Sequence, residues 1–598
     1  MRETHRYDVA IIGAGLAGLS LARQLLLDSD KKILLIDKRA EIPPARQKVG
    51  EATVQLSAYY FAKVLDLEEY LLENHFMKYN LRFYWKTASR SNRNFEDYSQ
   101  AYIRSLSNIA SYQLDRNEIE RELLRLDLTD PNFDFIAPAR ELKVSLSEIG
   151  PHLLSFRHDD RWVDVEADWV VDTSGREKVL ARTLGLARAN PIRHGSSFCW
   201  VEGVVNVEKL TDLSPREIRL KKDRRHLGHL PVFLATNHFC GEGFWFWVIP
   251  LHQKTSLGLV YDTAVISPEE VSTPQKLIEW VCREFPLFAR DLPHRKIVSQ
   301  GSFRSFSYDC AQTISPRRWA LSGEAGRFTD PLYSPGGDLI SIHNTLITDA
   351  ILTCDPEELS TKCRLYEQLM KAVYEAYVPS YAASYDALGD QETMTLKYSW
   401  ELAVYFSFYV FPFINDLLTE PRFTVSFLRR FGRLGPLNRS LQKFISAFYQ
   451  WKKENVRPAR GPVFNDFFDI GPLRQAERCF YEVGVSVEEA RQIIDSQIAS
   501  LEEMARFIIA HISAVVATDE RALTNRHFVE GIDAARAVFD QAEICARWEE
   551  CAESEELYEW SFDPRVLSRF SDAPRAEGGA INERLRPVDR AGVHARLA

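Results

Sequence analysis

Tyr7-Asp8-Val9-Ala10-Ile11-Ile12-Gly13-Ala14-Gly15-Leu16-Ala17-Gly18 is the stretch that decides the fold class of this 598-residue chain. Tyr7 to Ile12 is apolar enough for a buried strand, and Leu16 to Leu27 has the apolar spacing of a helix. Between them the glycines follow the pattern Gly-x-Gly-x-x-Gly. Gly13 permits the tight turn, Gly15 lets a pyrophosphate approach the backbone, and Gly18 lets the helix close on the strand. The helix start points the positive end of its dipole at the phosphates. Lys32 to Ile36 reads as a second strand. Asp37 closes it, about 20 residues beyond the loop, where a carboxylate accepts bonds from ribose hydroxyls. A lone glycine motif is a weak signal. In this strand–turn–helix–strand–acid order it marks a dinucleotide site, without choosing between NAD and FAD.

Outward from that core, short runs rich in Val, Phe and Trp predict strands at 78–86, 161–172, 196–206, 243–250, 255–261 and 298–306. The expected fold is α/β: a Rossmann-like dinucleotide-binding domain interleaved with an antiparallel-rich sheet, over residues 1–395. Segments 437–453, 488–516 and 525–549 carry helical periodicity, so residues 396–570 are expected to form a C-terminal helical region. Residues 571–598 are Gly-, Pro-, Arg- and Glu-rich without apolar period, and a disordered tail is expected there. Hydrophobic residues make up 45% and charged residues 26%, which excludes wholesale disorder. Lys plus Arg is 74 against 84 for Asp plus Glu, a net charge of −10, so a nucleic-acid-coating role is excluded. The nine cysteines include no CxxC pair, so neither a disulfide framework nor a metal site is expected. With no secretion signal read at the N-terminus, a cytoplasmic location is expected. The apolar stretch Ala403 to Leu418 is short and interrupted, so no membrane span is expected.

Three further segments narrow the class. They are Tyr112-Gln113-Leu114-Asp115-Arg116, Val170-Val171-Asp172-Thr173-Ser174-Gly175-Arg176, and Ala320-Leu321-Ser322-Gly323-Glu324-Ala325-Gly326 followed by Asp330-Pro331. Together with the glycine motif they resemble the para-hydroxybenzoate-hydroxylase-type flavoproteins and, more narrowly, the flavin-dependent halogenases. The resemblance implies FAD, bound by Gly13, Gly15, Gly18, Asp37, Gly50, Glu51, Ala52, Arg116, Gly323 and Glu324. Glu324 stands where that family usually has Asp. Trp245-Phe246-Trp247-Val248-Ile249-Pro250 matches the family's Trp-x-Trp-x-Ile-Pro signature. There Trp245, Trp247 and Pro250 would wall the flavin off from the organic substrate. An alternating aromatic strand in a core has the same pattern. Val49-Gly50-Glu51-Ala52-Thr53 followed by Lys78-Tyr79-Asn80-Leu81-Arg82-Phe83 resembles the segments that carry the family's catalytic lysine. By that resemblance Lys78 is catalytic and Arg82 takes a second basic position. Alternation alone puts Lys78, Asn80, Arg82 and Tyr84 on one strand face, which is also the pattern of a solvated polar face.

The implied activity is two-component halogenation. A separate NAD(P)H-dependent flavin reductase supplies reduced FAD, and dioxygen and halide yield hypohalous acid. Lys78 then delivers the halogen to an activated aromatic substrate, phenol- or pyrrole-like, free or carrier-bound, in secondary metabolism. A buried lysine suits the role because desolvation lowers an ammonium pKa. Two departures stand out. In Asp330-Pro331-Leu332-Tyr333-Ser334-Pro335-Gly336-Gly337, Pro335 has no N–H to offer a halide, which leaves Ser334, Gly336 and Gly337 as the halide or oxygen loop. Tyr333 occupies the place of a glutamate in tryptophan halogenases, which argues against free tryptophan as substrate. Two other readings stay open: an FAD-dependent aromatic hydroxylase on the same scaffold, and a non-catalytic flavin-binding partner. The aromatic cluster Trp400, Tyr405, Phe406, Phe408, Tyr409, Phe411 and Phe413 reads as helix core or as tunnel lining. Arg429-Arg430-Phe431-Gly432-Arg433 and Lys452-Lys453 are basic spots on which an acidic carrier protein could dock.

Overall fold

The strand Thr4–Ile12 lies at the centre of a sheet, between Ile33–Ile36 on one side and Arg161–Asp172 on the other, all parallel. Phe133–Ile136 and Trp319–Leu321 extend the parallel order outward. The strands His152–His158 and Arg140–Ser145 add an antiparallel flap to Arg161–Asp172. This computed structural model describes residues 4–220, 232–457, 459 and 461–570. The tail expected at 571–598 lies outside the described residues. Within the sheet, all four residues of Ile33–Ile36 are buried, as a parallel strand covered on both faces requires. Ile12 pairs with both Ile36 and Asp172. The glycine loop, Asp37 and Thr173 therefore leave the sheet at one edge, the carboxyl end, where open α/β sheets bind ligands.

A second, eight-stranded sheet supplies the other wall. Its order runs Ile297–Phe303, His194–Glu202, Lys254–Asp262, Phe244–Leu251, Thr236–Gly241, Leu81–Trp85, Ser99–Tyr102 and Phe464–Asn465. Most neighbours are antiparallel, as expected. The expected strand 78–86 is broken. Phe76–Lys78 pairs with Ser111–Gln113 in a separate two-stranded ribbon, and only Leu81–Trp85 joins the large sheet. Asn80 makes the corner: its carbonyl accepts from Thr236 N at 3.1 Å and its side chain donates to Ile103 O at 3.0 Å. Lys78 and Arg82 consequently sit in different sheets.

The chain beyond the sheets is helical. Asp355, Asp390, Glu420 and Ser486 cap the helices Pro356–Ala382, Gln391–Tyr405, Pro421–Asn455 and Val487–Ala517, each accepting from a first-turn N–H. The expected helix 437–453 is the second half of a 35-residue helix that begins at Pro421 and carries Pro436 inside it. The expected helix 525–549 is two helices, Arg526–Glu530 and Gln541–Cys551, because Gly531 ends the first and Asp540 caps the second. Residue 395 falls inside the helix Gln391–Tyr405, and Phe464–Asn465 pairs in parallel with Ser99–Tyr102. Trp400, Phe406, Phe408, Tyr409, Phe411 and Phe413 are all buried, so most of the aromatic cluster is core. Among the described residues no helix is long and apolar enough to cross a membrane.

Candidate active site

A cavity of about 220 Å³ opens at the carboxyl end of the parallel sheet. Gly15, Leu16 and Ala17 line it at the start of the helix Leu16–Asp28, whose cap residue Gly15 offers no side-chain bond. A Cβ built on Gly15 meets nothing within 4 Å, so the glycine leaves space that a ligand can fill. At Gly18 the reason is different: a Cβ there would stand 2.1 Å from Gly13 O and 2.5 Å from Thr173 Oγ1, so only glycine lets helix and strand close. Gly13 provides the turn at φ +110°.

The segment Val49–Thr53 and Arg116 form the opposite lip. Arg116 donates to Val49 O at 2.8 Å and to Glu120 Oε1 at 2.9 Å, and Lys48 also pairs with the fully buried Glu120. Arg116 Nε is buried without a hydrogen-bond partner. Glu51 accepts from Trp200 Nε1 and Ser256 Oγ, and Ser256 Oγ also accepts from Trp247 Nε1 at 3.0 Å. Burial pushes the Glu51 carboxyl up to about 7 despite those bonds. Gly323 and Glu324 line the cavity too, and burial raises the Glu324 carboxyl. Asp37 departs from expectation. Its Oδ2 accepts from Ala14 N at 2.9 Å and Arg39 Nη2 at 2.8 Å, while Oδ1 accepts from Arg39 N and Nε. Burial raises this carboxyl, and the Arg39 and Ala14 bonds more than offset it. Asp37 thus fastens the glycine loop and is not among the residues lining the cavity.

Trp245, Trp247 and Ile249 line the same cavity from the second sheet. The two indoles lie 5.6 Å apart between ring centroids. Each is pinned through its N–H: Trp247 to Ser256, and Trp245 to Tyr385 Oη at 2.7 Å. Tyr385 in turn donates to Asp330 Oδ2 at 3.1 Å, which His194 also contacts at 2.6 Å. Gly258 faces the ring of Trp247, and a Cβ there would come within 2.1 Å of it. Pro250 sits in the strand but does not line the cavity.

Lys78 lies in an adjoining cavity of about 290 Å³. It is 5% exposed, and its Nζ has no hydrogen-bond partner. Burial pulls the ammonium down to about 7, opposed by the charge of Asp338. Tyr333, Tyr377, Tyr381, Tyr398 and Tyr405 give this cavity aromatic walls, so the helical region supplies most of its far side. The aromatic cluster reaches it through Tyr405 and Phe406 alone. Arg82, expected beside Lys78, is 1% exposed, packs its guanidinium 4.0 Å from the Tyr102 ring centroid and does not line the cavity.

Two short segments partition the cavities. Gly50–Thr53 lines the first, while Val54 and Gln55 line the second. Pro331, Ser334, Gly336 and Gly337 face the first, while Tyr333 and Asp338 face the second. The tryptophan pair therefore stands on the first cavity's wall without bordering the second. Tyr333 and Ser334 both take positive φ, 68° and 62°, a costly conformation for residues with a side chain. Pro335 is the first residue of the 18-residue helix Pro335–Leu352, where a missing N–H costs no bond. Ser334 gives no side-chain cap, so the amides of Gly336 and Gly337 point free donors from a helix N-terminus. Asp338, which sequence reasoning missed, accepts from Ser57 N at 2.9 Å on Oδ1, and the Tyr405 hydroxyl also hydrogen-bonds its carboxyl. Its only signal in the sequence is an acid in the first turn of an otherwise apolar helix.

The glycine cradle, the open space at Gly15, the unpartnered Arg116 Nε and the helix dipole fit a flavin dinucleotide. Fold and cradle define an FAD-dependent oxidoreductase. Residues 11–69 match the family model for an NAD(P)-binding Rossmann-like domain. In sequence the chain is similar to flavin-dependent halogenases. It is 26% identical over 452 residues to flavin-dependent halogenase chlA of Dictyostelium discoideum, covering 71% of this chain and 73% of that one. It is 23% identical over 365 residues to a 1H-pyrrole-2-carbonyl-(peptidyl-carrier protein) chlorinase of Pseudomonas fluorescens, covering 56% and 72% respectively. In fold it is similar to halogenase PltM, solved in complex with phloroglucinol and FAD, with a TM-score of 0.56 at 17% identity over 83% of this chain and 96% of that one.

Proposed function

We propose that the chain is a two-component halogenase of secondary metabolism. It takes reduced FAD from a separate NAD(P)H-dependent reductase and halogenates a phenol- or pyrrole-like ring, free or carrier-bound. The observation that carries this reading is the bare Lys78 Nζ in a cavity one chain segment away from the flavin cavity. Reduced FAD, with dioxygen and halide, supplies an oxidised halogen as hypohalous acid. The chain's own part is the rest. The N–H groups of Gly336 and Gly337 hold an anion at the helix start. The Glu51 and Asp330 networks fix Trp247 and Trp245 as a rigid wall of the flavin cavity. Lys78 meets hypohalous acid as an ammonium donor or a neutral amine, both populated near pH 7. Flat tyrosine walls suit an aromatic guest. The pyrrolyl carrier substrate in one relative's name and the phloroglucinol complex of PltM support rings that activate themselves.

Purified protein with FAD, a flavin reductase, NADH and bromide should brominate at least one of phloroglucinol, resorcinol and pyrrole-2-carboxamide, read by mass spectrometry. Lys78→Ala should abolish the product while FAD still binds. No bromination of any of the three overturns the reading. Product oxygen labelled from dioxygen without a bromide requirement assigns the aromatic hydroxylase instead.

A further inference from the structure

A further cavity of about 280 Å³ adjoins the Lys78 cavity, between the helices Pro356–Ala382, Gln391–Tyr405 and Pro421–Asn455. Tyr377, Ser380, Glu401 and Tyr405 border both spaces and form the partition between them. Three of the four are tethered. Tyr405 Oη accepts from Leu56 N at 3.1 Å and bonds the Asp338 carboxyl. Glu401 is held by Lys397 Nζ and by Gln442 Nε2 at 3.0 Å, and Ser380 Oγ accepts from Gln442 Nε2 at 3.4 Å. Tyr377 makes no side-chain hydrogen bond among the described residues. Its ring rests on Tyr381 and Tyr409, at centroid distances of 6.1 and 5.4 Å. Beyond the partition the walls are apolar: Val404, Leu428, Phe431, Leu434 and the rings of Trp400 and Tyr409. The polar groups among them are already used. Trp400 Nε1 donates to Asn438 Oδ1 at 3.0 Å, and Asn438 Nδ2 donates to Ala376 O at 2.9 Å. Arg439 is the one cation lining this space among the described residues, and it is exposed. Gly432, Gly435 and Pro436 fall together inside the helix Pro421–Asn455, and each weakens a helix interior. Packing requires neither glycine. A Cβ on Gly432 meets nothing within 4 Å, one on Gly435 meets only the flexible end of Arg439 at 3.3 Å, and neither has a positive φ. The missing side chains leave volume, and both glycines line the further cavity.

We propose that this further cavity is a subsite for an uncharged alkyl arm on the substrate, reached past Tyr377 from the ring in the Lys78 cavity; the proposal rests on the halogenation reading above. The substrate class is then an alkyl-substituted phenol or pyrrole, not a bare ring. Sites for small molecules run from about 300 to 1,000 Å³. The Lys78 cavity alone stands at the foot of that range, and the two spaces together stand well inside it. Apolar walls with satisfied polar groups favour an apolar guest, which gains by leaving water and gives up no hydrogen bond. An arm ending in a carboxylate would meet no buried cation there. A slim chain also displaces the Tyr377 ring less than a second ring would, which makes the arm alkyl.

The test is equilibrium binding of resorcinol and of 5-pentylresorcinol to the flavin-loaded full chain, read by calorimetry. The pentyl arm should tighten binding by about tenfold or more, since each buried methylene contributes. The same pair is then measured on Gly435→Leu, whose side chain fills the further cavity and favours the helix. There the ratio of the two affinities should lose most of that gain. A ratio taken within one protein cancels any general loss of stability or of flavin. Gly432→Leu fills the space from its exposed mouth and serves as the second variant. Tyr377→Ala opens the partition and should raise the ratio. A wild-type ratio below about tenfold, a ratio that survives the glycine variants, or one that Tyr377→Ala leaves unchanged each overturns the proposal. An arm that leaves past the exposed Met77 and Leu106, which also line the Lys78 cavity, gives the second of these results. Wild type that brominates none of phloroglucinol, resorcinol and pyrrole-2-carboxamide overturns the halogenation reading itself. The affinity ratio is read without turnover, so the two failures are told apart.

Discussion

Lys78 and Asp338 are two buried titratable groups bordering one cavity, and their burial costs run in opposite directions with pH. The lysine is lowered from 10.5 to about 7 by burial, so between those values the unfolded chain binds a proton that the folded chain does not. Its cost is full below pH 7 and is relieved as pH rises towards 10.5. The aspartate is raised from 3.8 to about 7, so its cost is absent at low pH and grows as pH rises to 7. The two costs are both at full size only near pH 7. The double variant Lys78→Met, Asp338→Asn should therefore gain most thermal stability over wild type near pH 7, on the order of a few kcal/mol, and less at pH 5 and pH 9. Thermal unfolding at those three pH values checks it, and a gain independent of pH contradicts the burial argument. Lys78 was singled out from its flanking motif. Asp338 was not, because nothing in linear spacing brings a helix start at 338 to a ribbon at 78. Arg82 was misplaced for the same reason: period-2 alternation assumes an unbroken strand, and the Asn80 corner breaks it. Pro335 removes one of the N–H groups that a helix start leaves free for an anion, without costing the helix a bond.

At the scale of the element, the glycine loop was readable in full because each glycine answers to local geometry. The three positions still do different work, and substitution separates them. Valine at Gly15 meets no protein atom near its Cβ, so Gly15→Val should fold normally while filling the cradle. FAD affinity should fall by about tenfold or more, roughly 1.4 kcal/mol. Valine at Gly18 would press on Gly13 O and Thr173 Oγ1 at 2.1 and 2.5 Å, and backbone cannot step aside. Gly18→Val should lose about 3 kcal/mol of stability before any question of cofactor arises. Urea unfolding and a flavin titration on the two variants distinguish the effects; equal destabilisation by both would contradict the packing described. The aromatic strand Phe244–Leu251 was legible as a strand with Trp245 and Trp247 on one face. What held those rings was hidden. Trp247 depends on Gly258 and Ser256 in the neighbouring strand, and Trp245 on Tyr385, 140 residues along the chain.

At the scale of the molecule, the helical region is part of the site. Tyr398, Glu401 and Tyr405 wall the Lys78 cavity, and Phe464–Asn465 closes an edge of the second sheet. A two-residue strand has no sequence signature, so the pairing with Ser99–Tyr102 could not be foreseen, nor could the helix that runs through residue 395. The same folding consumes most of the positive charge that seemed free for a partner. Arg430 pairs with Asp495 at 2.7 Å and Arg433 with Glu502 at 2.8 Å. Lys452 is largely buried between Asp390 and Glu392, and Lys453 reaches Glu242. Charges spent on internal pairs have little left for steering an acidic carrier protein. Arg429 alone in these clusters is exposed and carries no acidic partner among the described residues. One rim charge acts mainly on association rate. Arg429→Glu should thus leave kcat on a carrier-bound pyrrole unchanged and raise KM by no more than about threefold, under 1 kcal/mol. A rise of about a hundredfold, abolished at high salt, would instead locate the carrier's docking face on the helix Pro421–Asn455.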